Sequence, residues 1–149
     1  MISQKTKYGL KAVICLARKT TDENILITTI SKEERIPQKF LEAILLELRK
    51  KGLLKSKKGK GGGYSLGKPS SEITLGEIVR ILDGPLAPVS CVSQTAYERC
   101  RECISEERCE IRFIMKEVRD AMSAILDKTS LSDLLERSQR DQNIENFMI

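Results

Sequence analysis

Four cysteines lie close together in the second half of this 149-residue chain, which contains no histidine: Cys91, Cys100, Cys103 and Cys109. Thiolates are soft ligands for iron–sulfur clusters and zinc, and pairs of thiols oxidise reversibly to disulfides. The order Cys-x8-Cys-x2-Cys-x5-Cys has only one of the two short pairs that a zinc ribbon needs. The segment therefore predicts a sulfur-based site. Four interpretations stay open: an iron–sulfur cluster, another metal, a thiol–disulfide switch, and cysteines without a chemical role.

A fifth cysteine has a different setting. Cys15 shares one face of a predicted helix over residues 3–20 with Tyr8, Ala12 and Leu16, so it is predicted to be a small core side chain. Because the chain lacks histidine and any nucleophile–base pair, we do not expect an enzyme. No apolar run approaches the roughly 20 residues of a membrane span, and MISQKTKYGL lacks a signal-peptide core. We expect a cytoplasmic protein with no membrane partner.

Charge is divided unequally along the chain. Residues 1–68 hold 16 lysines or arginines against 6 acidic residues, a net charge of +10, whereas residues 69–149 hold 10 against 15, a net charge of −5. A basic half favours nucleic-acid binding, although any basic protein has a lysine-rich face somewhere. The division predicts DNA binding by the first half and a different task for the second.

Two predicted helices in the basic half have the spacing of a helix-turn-helix. After a polar turn at 21–24 and a β-rich run at 25–28, one helix is predicted from Thr28 to Arg35 and a second from Gln38 to Lys51. Pro37 precedes the second helix, where its missing N–H costs nothing. The residues predicted to point inward from it are Phe40, Leu41, Ile44, Leu45 and Leu48. In a helix-turn-helix the second helix enters the major groove of DNA.

A glycine-rich hairpin is predicted directly after these helices. Gly52 ends the helix, residues 53–57 and 64–66 are predicted strands, and Lys58-Gly59-Lys60-Gly61-Gly62-Gly63 is the loop between them. Glycine allows a backbone to approach a phosphate closely, and lysine supplies positive charge. Both properties are those of the wing in a winged helix.

Three further helices are predicted. Thr74 and Glu77 form a capping box before a helix that ends near Leu82. A long helix from about Glu106 to Asp127 carries an apolar seam that predicts pairing with a second copy: Ile111, Ile114, Met115, Val118, Met122 and Ile125. A short helix is predicted over 131–137, and residues 139–149 are predicted to be a flexible tail.

Several motifs, in this order, resemble the Rrf2 family of bacterial transcriptional regulators: YGLKAV, KFLEAIL-x-x-L, KGLLKSKKGKGGGYSLGK, ITLGEIVRILDG and the cysteine cluster that follows. The resemblance spans roughly residues 1–135 and implies a winged helix-turn-helix homodimer that binds partly palindromic double-stranded DNA. It implies DNA contacts from the recognition helix and the wing: Gln38, Lys39, Glu42, Lys58, Gly59, Lys60 and Tyr64. Lys58 stands where some members have an arginine.

The resemblance also implies a 2Fe–2S cluster as cofactor. Cys91 takes the place of the family's first cysteine, Cys103 and Cys109 keep the family's interval, and Cys100 is an additional thiol and the candidate fourth ligand. Such a site would report iron–sulfur, redox or nitrosative status. The alternative within the family is a regulator of sulfur and cysteine metabolism that has no cluster. It would be controlled by a metabolic enzyme as protein partner or by thiol oxidation.

Together these features predict a mainly α fold with a small β-wing. The predicted divisions are a winged helix-turn-helix domain at 1–84, a cysteine-rich sensor loop at 85–110, a dimerisation helix with a short C-terminal helix at 111–138, and the tail at 139–149.

Overall fold

The first half of the chain folds as three helices followed by a β-hairpin. A computed structural model describes residues 2–19 and 23–148. It contains α1 (Gln4–Arg18), α2 (Ile27–Glu34), α3 (Gln38–Lys50), β1 (Leu54–Lys57) and β2 (Gly63–Leu66). The strands are antiparallel, with Leu54 opposite Leu66 and Lys57 opposite Gly63. The predicted winged helix-turn-helix is therefore confirmed.

The segment before α2 differs from its prediction. Only Ile25 of the predicted β-rich run pairs, through two backbone hydrogen bonds of 2.8 Å with Tyr64, because α2 begins at Ile27. Residues 20–22 lie outside the described residues, and with them the predicted end of the first helix and half of the predicted turn at 21–24.

The chain changes direction between α2 and α3 in a turn that contains no glycine. Arg35 ends α2 in the left-handed conformation, with φ of 53°, which costs a non-glycine residue about 1 kcal/mol or more. The Ser31 hydroxyl donates to the Ile36 carbonyl at 2.6 Å, and the Lys11 ammonium donates to the carbonyl of Glu34. These contacts, together with the fully buried Ile36 side chain, hold the turn in place.

The core of the first half lies where α1, α3 and a later helix, α4 (Leu75–Asp83), meet. Gly9 lets α1 approach closely, since a Cβ there would lie 2.2 Å from Leu82 Cδ1 and 3.3 Å from Ile44 Cγ2. The inward prediction for α3 is wrong at Phe40, which is 63% exposed, and right at Leu41, Ile44, Leu45 and Leu48, which are buried. Phe40 lies at the edge of that apolar stripe, and it shares a shallow groove with Tyr8.

Three helices follow the wing: α4 (Leu75–Asp83), α5 (Glu110–Lys128) and α6 (Leu131–Phe147). Thr74 caps α4, but the Glu77 carboxylate pairs with Lys68 at 3.0 Å rather than completing the predicted capping box. The start of α5 lies four residues after its predicted position because Cys109 is its N-cap.

The last helix is longer than the predicted 131–137 and extends into the segment predicted as a flexible tail. The last helix does not end at Arg137 but continues to Phe147, while Ile149 lies outside the described residues. Residues 131–148 contain neither glycine nor proline and are rich in Glu, Gln and Arg, which favour helix. A reciprocal capping box between Ser130 and Asp133 fixes the first turn.

The end of α5 is joined to the winged helix at two places. Backbone hydrogen bonds link Thr129 to Leu75 and Leu131 to Ile73, and the Leu131 side chain is fully buried in the N-terminal core. The Arg80 guanidinium on α4 holds the Asp127 carboxylate through two hydrogen bonds of 2.5 and 2.8 Å. In the described part of the chain, no helix is both long and apolar enough to span a bilayer.

Candidate functional site

The four clustered cysteines line one pocket of about 460 Å³ beside the N-terminus of α5. Cys91, Cys103 and Cys109 are half-buried, and Cys100 is exposed. All are free thiols. The sequence prediction that these residues belong together is consistent with this shared pocket.

Two of the thiols are anchored to α5. Cys91 lies in a short 3₁₀ turn, Ser90–Val92, whose Val92 carbonyl accepts a hydrogen bond of 2.7 Å from the Arg119 guanidinium. Cys109 is the N-cap of α5, and its sulfur accepts a hydrogen bond from the Arg112 backbone N–H at 3.4 Å. Cys91 is therefore linked to α5 through its neighbour Val92, and Cys109 is part of the start of that helix.

The other two thiols lie on the exposed loop between these anchors. The Cys103 N–H donates to the Cys100 carbonyl at 3.2 Å, which closes a turn around them. The Cys100 thiol donates to the Glu102 carboxylate at 3.0 Å, and this hydrogen bond raises the pKa of the thiol above its ordinary value. Cys100 is therefore held as a protonated thiol near neutral pH.

The donor set suits a thiolate-ligated metal or cluster by its chemistry, since it offers four soft ligands on one pocket. The sulfurs do not converge, however. Among residues 2–19 and 23–148, no three cysteine or carboxylate side chains lie close enough together to hold a metal ion. Binding would require the loop with Cys100 and Cys103 to close onto the anchored pair.

Two residues at this site were missed from the sequence. Arg112 lines the pocket and Arg119 ties the Cys91 turn to α5, whereas the apolar spacing of α5 only placed both outside the seam. The sequence places Arg112 and Arg119 about one and three helical turns after Cys109 on the same predicted helix. That position could have indicated that both lie near the cysteines.

Cys15 occupies the core, as predicted. It is 1% exposed, and its thiol donates to the Glu33 carboxylate at 3.4 Å. Burial and, next, this hydrogen bond raise the pKa of Cys15 to about 11, so it is an inert thiol under ordinary conditions.

The predicted recognition residues lie exposed on the first turns of α3. Gln38, Lys39 and Glu42 all face solvent, and the Gln38 amide donates to the Glu42 carboxylate at 3.4 Å. Side chains at the N-terminal end of such a helix are those that reach base edges in the major groove.

The wing carries exposed charge on a backbone that glycine makes possible. Lys58 and Lys60 flank Gly59, whose φ is +82°, and all three are exposed. A Cβ at Gly63 would lie 2.4 Å from the Ile25 carbonyl oxygen, so only glycine fits where the hairpin meets Ile25. Tyr64 is half-buried against the core. Its contact with DNA stays a prediction.

Comparisons with known proteins agree with one another. The family model described as "Rrf2: Iron-dependent Transcriptional regulator" matches residues 2–137. An rrf2-like HTH-type transcriptional regulator of Rhodobacter capsulatus is 41% identical over 138 residues, covering 91% of this chain and 92% of the relative. The regulator CymR of Bacillus subtilis is 34% identical over 148 residues, or 99% of each chain.

Solved structures give the same result. The structure of B. subtilis CymR superposes with a TM-score of 0.76 over 92% of this chain and 97% of CymR. IscR of T. potens, at 25% identity, superposes with a TM-score of 0.75 over 95% of this chain and 90% of IscR.

Proposed function

Because the chain belongs to the Rrf2 family of transcriptional regulators, which bind DNA, we propose that it is a homodimer whose cysteine pocket controls its affinity for an operator. The observation that carries this proposal is the position of the pocket. Four cysteines line one pocket at the N-terminus of α5, and the C-terminal end of the same helix is fixed to the winged helix through Asp127 and through Leu131, which follows the helix.

The proposed dimer rests on the exposed apolar strip of α5. Four of its side chains are between 37% and 66% exposed and recur at alternating intervals of three and four residues if Ala121 is counted: Ile111, Ile114, Val118 and Ile125. This is the spacing of a helix that packs against a second helix. Met115 and Met122 of the predicted seam are half-buried on their own chain. A two-fold axis along this strip would hold the two recognition helices at a fixed separation.

The proposed cofactor is a 2Fe–2S cluster held by Cys91, Cys103 and Cys109, with Cys100 as fourth ligand. Support comes from the soft donor set and from the iron dependence in the description of the family model. A cluster can gain or lose one electron, or it can dissociate from the protein. Two contacts within the chain would connect the cluster to α5: Arg119 holds the Cys91 turn, and Cys109 caps the helix. If the loop with Cys100 and Cys103 closed onto Cys91 and Cys109, α5 would shift. Arg80 on α4, which holds Asp127 of α5, would shift with it.

The experiment is anaerobic purification followed by visible absorption and assays for iron and sulfide. Visible absorption in the wild type with equal amounts of iron and sulfide is the expected result. Single Cys→Ala changes at 91, 103 and 109 should remove the absorption, and the change at 100 should retain part of it. Cys15→Ala is the matched control, because its sulfur lies in the core and should leave the spectrum unchanged.

A second candidate function is a thiol switch without a cluster. It is favoured by the separation of the four sulfurs, which do not converge within the described residues, and by the similarity to CymR, described as the global cysteine regulator of B. subtilis. Here a two-electron oxidant such as a peroxide would accept two electrons from two thiols of the pocket, which lose their protons and join in a disulfide. A colourless, iron-free protein whose DNA affinity changes on oxidation and recovers with a reductant would favour this function.

A further inference from the structure

Arg112 is the one cysteine-pocket residue with a buried polar atom that has no hydrogen-bond partner in the described part of the chain. Its side chain is 21% exposed, and its Nε is inaccessible to solvent and donates to no acceptor. An unsatisfied buried donor destabilises the folded state, so native proteins rarely keep one without a reason.

The charge of Arg112 is only weakly compensated. Its Nη2 lies 3.7 Å from Glu106 Oε2, beyond hydrogen-bond length, and the same Glu106 carboxylate accepts a hydrogen bond from the Tyr97 hydroxyl. Glu106 is thus hydrogen-bonded to Tyr97 and interacts with Arg112 only through its charge. Arg112 lines both the cysteine pocket and a neighbouring cavity of about 510 Å³.

We propose that Arg112 is the counter-charge of the cysteine pocket and stabilises the negative charge that arises when its thiols bind a metal or cluster as thiolates. The inference rests on the proposed function. A divalent ion with four thiolates has a net charge of −2, and a half-buried guanidinium beside it lowers the free energy of that complex.

Arg108 provides a matched comparison. It lines the same pocket and has the same charge, but it is exposed, so water and salt screen it. If the pocket needs only a nearby positive charge, the two arginines are equivalent. If it needs a desolvated donor, only Arg112 matters.

The test is a titration of the reduced, metal-free full-length protein with Co²⁺, in competition with a chelator, followed by sulfur-to-cobalt charge-transfer absorption. We expect Arg112→Met to weaken Co²⁺ binding by about ten-fold, the effect of one partly screened charge. Arg112→Lys should recover most of the affinity, and Arg108→Met should change it less than two-fold.

A second measurement separates this role from a structural one. Because Arg112→Met removes an unsatisfied buried donor, the metal-free variant should unfold in urea at the wild-type concentration or higher. Lower metal-free stability together with weaker binding would overturn the proposal, as would wild-type Co²⁺ affinity in Arg112→Met. Absence of the charge-transfer band in the wild type would instead refute thiolate ligation itself, and the role of Arg112 with it.

Discussion

Replacing both lysines at the wing tip, Lys58→Ala with Lys60→Ala, is expected to weaken binding to any DNA duplex by about 30-fold at about 0.15 M salt. Both side chains are exposed, and neither pairs with a carboxylate within the described residues. Each is therefore free to displace one counterion from a phosphate. Each phosphate contact contributes about 0.9 to the slope of log affinity against log salt, so the slope should fall by roughly 1.8.

The assay is fluorescence anisotropy with a labelled random-sequence duplex at four or more salt concentrations. No knowledge of the operator is needed, because phosphate contacts carry no sequence information. Lys128→Ala, which removes an exposed lysine at the far end of α5, is the control for net charge. An unchanged salt slope, or the same loss in Lys128→Ala, would show that the wing does not contact the phosphate backbone.

Three further outcomes are expected. Gly9→Ala should destabilise the protein by about 1–3 kcal/mol in urea unfolding, because the alanine Cβ would lie 2.2 Å from Leu82 Cδ1. This cost is expected although alanine has the better helix propensity, and an equal cost in a Leu82→Ala background would refute the explanation. The hydrogen bonds from Arg80 lower the pKa of Asp127 in the folded state. The contribution of Asp127 to the free energy of unfolding is therefore complete above its unfolded pKa of about 4, and it disappears as the pH falls through the folded pKa. Asp127→Asn should therefore cost at most about 1 kcal/mol at pH 7, given the exposure of the pair, and nothing at low pH; a difference that persists at low pH would exclude this origin. Ile114→Glu with Val118→Glu should convert a dimer into a monomer in sedimentation at micromolar concentration, and an unchanged mass would exclude the proposed α5 interface.

The DNA-binding half could be predicted well because its signals are local. Pro37, Gly52 and the glycines of the wing each fix the backbone at a single position, so the boundaries of α3 and the hairpin follow from residue type. The error at Phe40 has a different origin. Periodicity finds an apolar stripe but does not show where the stripe ends, and Phe40 lies at its edge.

The second half could be predicted only in outline because its determinants are contacts between distant residues. The spacing of the cysteines indicated a common site, but which thiols are anchored depends on Arg119 reaching Val92 across 27 residues of sequence. The length of α6 was underestimated because its second half, from Ser138 onward, is mostly polar and has no clear hydrophobic period to detect.

Leu131 has a consequence for the order in which the chain acquires its structure during synthesis. This residue fills the core of the winged helix, although it follows the cysteine loop and the whole of α5 in the sequence. A nascent chain that has emerged only as far as α4 therefore has an incomplete core. The winged helix reaches its full stability only after the cysteine loop and α5 have left the ribosome, which at about 10 residues per second takes several seconds more. A truncated product of translation that ends inside the cysteine loop should thus have a less stable winged helix than the full chain, and it should compete poorly with the full chain for DNA.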